Sequence, residues 1–229
     1  MTDPYRGPST APRVADAAVR LLPAAVCSVV ALALLASRVA FTGSRTHVFL
    51  AWNLLLAWVP LVAAYALARL PPGRAHWPKR LALGTVWLVF LPNAPYLVTD
   101  LLHLGGSSNA PKWFDASMFF AFACTGCVLG FASMAAVHAR VEQAIGRGGG
   151  WVFVMAVSGL SAFGVYLGRF KRWNSWDVVS DPGALLRDVA GVVLNPGDHP
   201  PMLAFTAQFS ALLLVGYATF SWRLPRIDR

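Results

Sequence analysis

Long apolar runs separated by short polar segments set the pattern of this chain. Six of them, at residues 21–41, 48–70, 81–104, 114–137, 151–167 and 202–220, are long enough to cross a membrane, since a crossing helix takes roughly 17–25 residues. The fifth is at the short end of that range, and two prolines interrupt the third. The first run is longer than the h-region of a signal peptide and no A-x-A site follows it, so it reads as a retained helix. Ahead of it, residues 1–20 are rich in Pro, Thr and Ala without apolar period, which predicts a flexible tail. Between the fifth and sixth runs, Asp181 and Pro182 have the form of an N-cap followed by proline at the first helical position. The helix they predict, from Pro182 to about Leu194, puts Leu185, Val189 and Val193 on one side and Arg187, Asp188 and Gly191 on another. It is too short to cross and is expected to lie in the membrane interface. The pattern therefore predicts an all-α, polytopic membrane helix bundle of about six transmembrane helices plus a short interfacial helix. A single transmembrane domain covers 21–222, with an outer loop at 168–200 and a short tail at 223–229.

Polar residues inside such runs are where function is sought, because lipid makes them costly. The third run reads LALGTVWLVFLPNAPYLVTDLLHL. Pro92 and Pro95 have no N–H to give the carbonyls of Leu88 and Leu91, and Asn93 lies between them. At about 1.5 Å per residue from Arg80, Asn93 sits roughly 20 Å and Asp100 roughly 30 Å along the helix. Asp100 and His103 share a face if the helix resumes after Pro95. Such a run is either a proline kink with a wet end or a broken helix lining a polar site. After the fifth run the chain reads GRFKRWNSWDVVSDPG. Trp173 and Trp176 suit the headgroup region, and Arg169 and Arg172 carry planar forks matched to phosphate. Asn174 and Asp177 follow. An Asp at the end of a broken helix calls for a partner, and the Arg169–Arg172 cluster is the dense cationic group on that side. Asp100 is therefore expected to face Arg169 or Arg172, making one site of the break and the loop.

Charge orients the bundle. Of the 19 Lys and Arg residues, twelve lie on the side of the N-terminus and seven on the other, at Arg38, Arg45, Lys112, Arg169, Lys171, Arg172 and Arg187. Basic residues favour the cytoplasm, so both termini are expected there and the polar loops outside. The net charge of +9 fits this topology and not nucleic acid, because no basic stripe runs along a soluble face. Composition agrees: 57% of residues are hydrophobic and 13% charged, where a soluble domain carries about 25% charged.

The stretches FLPNAPYLVTDLLHL and YLGRFKRWNSWDVV, with NLLLAWVPL at 53–61 and WFDASMFFAFACTG in the fourth run, resemble a family of bacterial integral membrane proteins, the domain-of-unknown-function family numbered thirteen sixty-one. The similarity covers roughly residues 49–217. It implies a multi-span protein of the bacterial cytoplasmic membrane and supplies no activity, cofactor or catalytic residue.

Other chemistry is weighed against packing. Cys124 and Cys127 form a C-x-x-C on an apolar helix with only Cys27 besides, and are read as small packing residues. Gly126 with Gly130 and Gly164 with Gly168 have the spacing that lets helices approach closely. Asp100, His103, Asp115, Asp177 and His199 include ligand types, yet D-x-x-H alone is weak and no metal is assigned. No P-loop, dinucleotide fingerprint or G-x-S-x-G is present.

Three functions follow. One is a membrane enzyme acting on an anionic lipid or lipid-linked phosphate. There Asp100, Asp177 and His103 are the candidate catalytic groups, and Asn93, Arg169, Arg172, Trp173 and Asn174 the candidate substrate-binding ones. Another is a non-catalytic partner of envelope proteins, as a single copy or a homo-oligomer, with the aromatic-basic loop as its docking surface. The third is a small-solute transporter using the broken span. Membrane lipids are partners in all three.

Overall fold

The computed structural model describes residues 14–71, 73–105 and 110–222, and among these every regular element is helical. Helix α1 (Val14–Thr42) begins ahead of its apolar run, and α2 spans Phe49–Arg69. The third run divides into α3 (Trp77–Phe90), α4 (Asn93–Thr99) and a 3-10 turn (Asp100–Gly105). Next come α5 (Lys112–Phe170), the single turn α6 (Asp177–Ser180), α7 (Pro182–Leu194) and α8 (Pro200–Trp222). Of the tail expected at 1–20, residues 14–20 are instead helical, as the first turns of α1; residues 1–13, and the tail expected at 223–229, lie outside the described residues.

Among the described residues, five helical stretches are long and apolar enough to cross a membrane, the broken one at Trp77–Leu104 included. The longest, α5, holds both the fourth and fifth runs. The two runs form two helical arms that meet at a sharp kink. The reversal is made by Gly146, at φ 81° and ψ 171°, a left-handed position that a residue without Cβ occupies at little steric cost. Met134 and Val137 of the first arm share a core with Val154 and Val157 of the second, and the rings of His138 and Trp151 meet. Outward-facing Val29, Phe120, Leu160, Leu212 and Val215 are exposed, a surface compatible with lipid contact.

The broken span is gripped by glycines from both arms of α5. A Cβ on Gly126 would stand 2.3 Å from the Ala94 carbonyl oxygen, and one on Gly164 would stand 2.5 Å from Pro92 Cγ. Gly130 packs against Ala94, and Gly168 against the Tyr96 ring. Both glycine pairs therefore serve close packing, and their common target is the Pro92–Tyr96 segment.

Helix α7 has the bounds read from the sequence, and the Asp181 carboxylate accepts from the Ala184 backbone N–H at 3.1 Å. Its faces differ from the expectation. Val192 is the buried valine and Val193 is exposed. Asp188 accepts from Trp173 Nε1 of the preceding loop.

Candidate functional site

The ends of α1, α2, α4 and both arms of α5 converge at one end of the bundle, and the ionic groups collect there. Asp100 has no solvent exposure at all. One carboxylate oxygen accepts from the Arg169 guanidinium, and the other from Asn53 Nδ2 at 3.0 Å. Thr99 Oγ1 accepts from Arg169 Nε at 3.0 Å and from its Nη2 at 2.8 Å, and donates to the Tyr96 carbonyl at 2.6 Å. The guanidinium lies over the Tyr96 ring, 4.2 Å from its centre, a favourable cation–π distance. Three segments are thus tied at one carboxylate: α2 by Asn53, the broken span by Thr99 and Asp100, and the second arm of α5 by Arg169.

Of the two arginines in the cluster, Arg169 is the one that reaches Asp100. Arg172 is exposed, with no hydrogen bond or ion pair to a described residue, and sits at φ 63°. That is a left-handed conformation uncommon for a residue with a side chain. It turns the chain after Lys171 so that the Trp173 N–H bonds the Leu167 carbonyl at 3.2 Å. Trp173 Nε1 then donates to Asp188 at 2.9 Å, and Lys171 Nζ stands 3.9 Å from the same carboxylate.

The loop docks on the helix break. Asn93 Nδ2 donates to the Phe90 carbonyl at 3.0 Å and to Ser175 Oγ at 2.8 Å, while Ser175 Oγ donates to the Val89 carbonyl at 3.3 Å. The carbonyls served by side chains are therefore Val89 and Phe90. Leu91, expected from the proline positions to be left open, accepts from the Ala94 N–H at 3.1 Å. The tight turn at Leu91–Pro92 moves the frayed groups by one or two residues.

The remaining predicted groups are spread around this centre. His103 Nδ1 contacts the backbone oxygen of Asp100 at 3.1 Å, not its carboxylate, and its ring lies among Phe49 and Phe119. Asp177 stays partly exposed and builds the loop. It accepts from the Asn174 backbone N–H at 2.7 Å, from Asn174 Nδ2 at 3.3 Å and from Ser180 Oγ at 3.0 Å. The Asn174 backbone bond, with the Ser180 and Asn174 side chains, holds the Asp177 carboxyl below the usual carboxylate range. Trp176 meets Trp52 edge to face, next to Asn53 in sequence. The break, the loop and Asn53 therefore form one neighbourhood, with Asp177 at its outer rim.

A second buried ion pair was not singled out in the sequence. Arg38 Nε donates to Asp115 Oδ1 at 2.7 Å, joining the end of α1 to the start of α5, and both residues are buried. The signal was a lone Arg and a lone Asp at neighbouring span ends on one side. His47 packs beside them against Phe119. Burial, reinforced by the Arg38 charge, pushes its imidazole below the ordinary value. His47, beside this pair, and His103, beside Asp100, both meet the rings of Phe49 and Phe119.

No curated protein and no solved structure matches this chain. A family profile described as "Protein of unknown function (DUF1361)" matches residues 52–215, a stretch that takes in Asn53, the broken span, both arms of α5 and the docking loop. The chain belongs to that family.

Proposed function

We propose that this is a six-crossing protein of the bacterial cytoplasmic membrane, and that its polar end binds the phosphate of an anionic lipid or lipid-linked carrier. The two arms of α5 count as separate crossings in this reading, both termini are cytoplasmic, and α7 lies in the outer interface. The observation that carries it is the division of labour between the two arginines. Arg169 is committed to Asp100 and Thr99, whereas Arg172 is held outward at φ 63° with its fork unengaged. Trp173 and Trp176 flank it in sequence, and indole rings favour the headgroup layer. Val179, Leu186, Val193 and Leu194 of the α6–α7 segment are exposed, the apolar surface an interfacial helix presents.

Acid–base roles for Asp100, His103 and Asp177 gain no support from this geometry. Asp100 has both oxygens taken by donors, His103 faces a backbone oxygen, and Asp177 shapes its own turn. That saturation favours, as a second reading, a non-catalytic envelope partner whose lipid contact positions a docking surface.

The protein reconstituted in nanodiscs should unfold at a higher temperature when phosphatidylglycerol replaces phosphatidylcholine. The shift should fall by more than half in Arg172→Gln. An unchanged shift in that variant would remove Arg172 from the site. For the orientation, a cysteine at Ser180 should react with a membrane-impermeant maleimide on intact cells. Reaction only after lysis would invert the topology.

A further inference from the structure

The short connection between α1 and α2 holds one buried side chain. Of residues 43–48, His47 alone is buried, and its neighbours Thr46 and Val48 are exposed. The His47 ring stands edge-on to Phe119 of α5, with 5.2 Å between centroids, and tilted to Phe49 of α2 at 6.1 Å. Its Nδ1 is shut away from solvent and makes no hydrogen bond to a described residue. The ring is therefore seated by apolar contact, beside the Arg38–Asp115 pair, with a polar nitrogen left over.

Such a seat suits a neutral imidazole and not a cation. The neutral ring can leave Nδ1 as a bare acceptor, whereas the cation carries an N–H on both nitrogens. A buried N–H with no acceptor is a costly state, and more so when charged. The charges that face the ring come from three elements: Arg38 of α1, Asp115 of α5 and His103 of the 3-10 turn. Arg38 opposes a proton on His47, and so does His103 when it is charged. Asp115 favours the proton, but its carboxylate already accepts from Arg38 Nε at 2.7 Å. Burial outweighs all three and, with Arg38, holds the seated ring below the ordinary imidazole value.

We propose that His47 is an acid-operated latch on the α1–α2 connection: the neutral ring holds residues 43–48 against Phe119 and Phe49, and the protonated ring leaves that seat for water. The sign follows from the two environments. A ring released into water has the ordinary value of about 6.5, above that of the seated ring. The closed form is therefore favoured above about pH 6.5 and loses ground as pH falls below it, down to the lowered value of the seated ring. Opening uncovers Phe119, which the His103 ring also meets, and the flank of the ion pair that joins α1 to α5. The latch depends neither on the phosphate reading nor on which side of the membrane this end faces.

Hydrogen–deuterium exchange of the full chain in nanodiscs tests it, with rates corrected for the intrinsic effect of pH on amide exchange. The reporting amides are bonded within the connection: the Gly43 N–H to the Val39 carbonyl at 2.9 Å, Val48 to Arg45 at 3.1 Å and Leu50 to His47 at 3.1 Å. The control is segment 174–181, at the same end of the bundle, locally bonded and without histidine. Between about pH 7.5 and pH 5, protection of residues 43–50 should fall at least about tenfold while that of 174–181 holds. In His47→Gln and in His47→Phe, neither of which can take the proton, the fall should disappear. Unchanged protection of 43–50 in the unmodified protein overturns the proposal before any variant is made, and so does a fall shared equally by 174–181. A fall that persists in either substitution overturns it as well.

Discussion

Asp100 and Asp177 stand at the same end of the bundle, on segments that dock on each other, and meet opposite surroundings. Asp100 has no contact with solvent and is enclosed by Arg169 and Asn53. Asp177 keeps contact with water and is held by groups within its own turn. The difference teaches that a carboxylate's neighbours in space, and not its neighbours in sequence, decide its work. The long-range partners of Asp100, 47 and 69 residues from it in sequence, join its own segment to two others. The local partners of Asp177 join nothing beyond residues 174–180.

The comparison breaks first at Asp100. Asp100→Ala leaves the Arg169 charge buried without its carboxylate, which costs about 3–5 kcal/mol. Denaturant unfolding in detergent micelles should show this loss. Adding Arg169→Met to that variant should restore a substantial part of it, since an apolar pair of similar volume is often neutral or better. Strictly additive losses would mean that the two side chains do not act as a unit.

The smallest effect is expected at Asp177, and its pH dependence sharpens the contrast. Its carboxyl is held below the usual range by the Asn174 N–H, so its contribution is present at neutral pH and is lost as pH falls through the lowered value. Asp177→Asn should therefore differ slightly and constantly from the unmodified protein until the pH enters the acid range, where the difference closes. A difference that grew on acidification would reverse the sign of this linkage.

Much of the architecture was legible in the sequence because apolar runs, prolines and caps are local signals. The α7 helix has the bounds that Asp181, Pro182 and its length predicted, and both glycine pairs pack as their spacing implied. The neighbourhood of Asn93 and the cluster after the second arm was also readable, because buried polarity needs partners. What was not readable depended on rotation or distance. The choice of Arg169 over Arg172 follows from a single left-handed residue, and nothing in KRW marks which residue takes it. The outward turn of Val193 depends on the Trp173–Asp188 bond, which sets the roll of α7. The Arg38–Asp115 pair joins residues 77 apart, and pairing at that range leaves no trace in periodicity. The turn between the arms of α5 departs from the sequence pattern in the opposite sense. A glycine-rich polar stretch reads as a loop, yet Gly146 alone makes the reversal.

The hydrogen bond from Ser175 to Val89 spans 86 residues, and this sets an order on biosynthesis. When the third span leaves the ribosome, the side chain that will cap its broken ladder has not been made. At about 5–20 residues per second, Ser175 follows roughly 4–17 s later, after both arms of α5. During that interval the Val89 carbonyl lacks its side-chain donor and needs shelter from lipid. The third span is thus presented to the membrane before the side chain that completes it exists, and its completion waits for a serine in a loop on the far side of a helical hairpin.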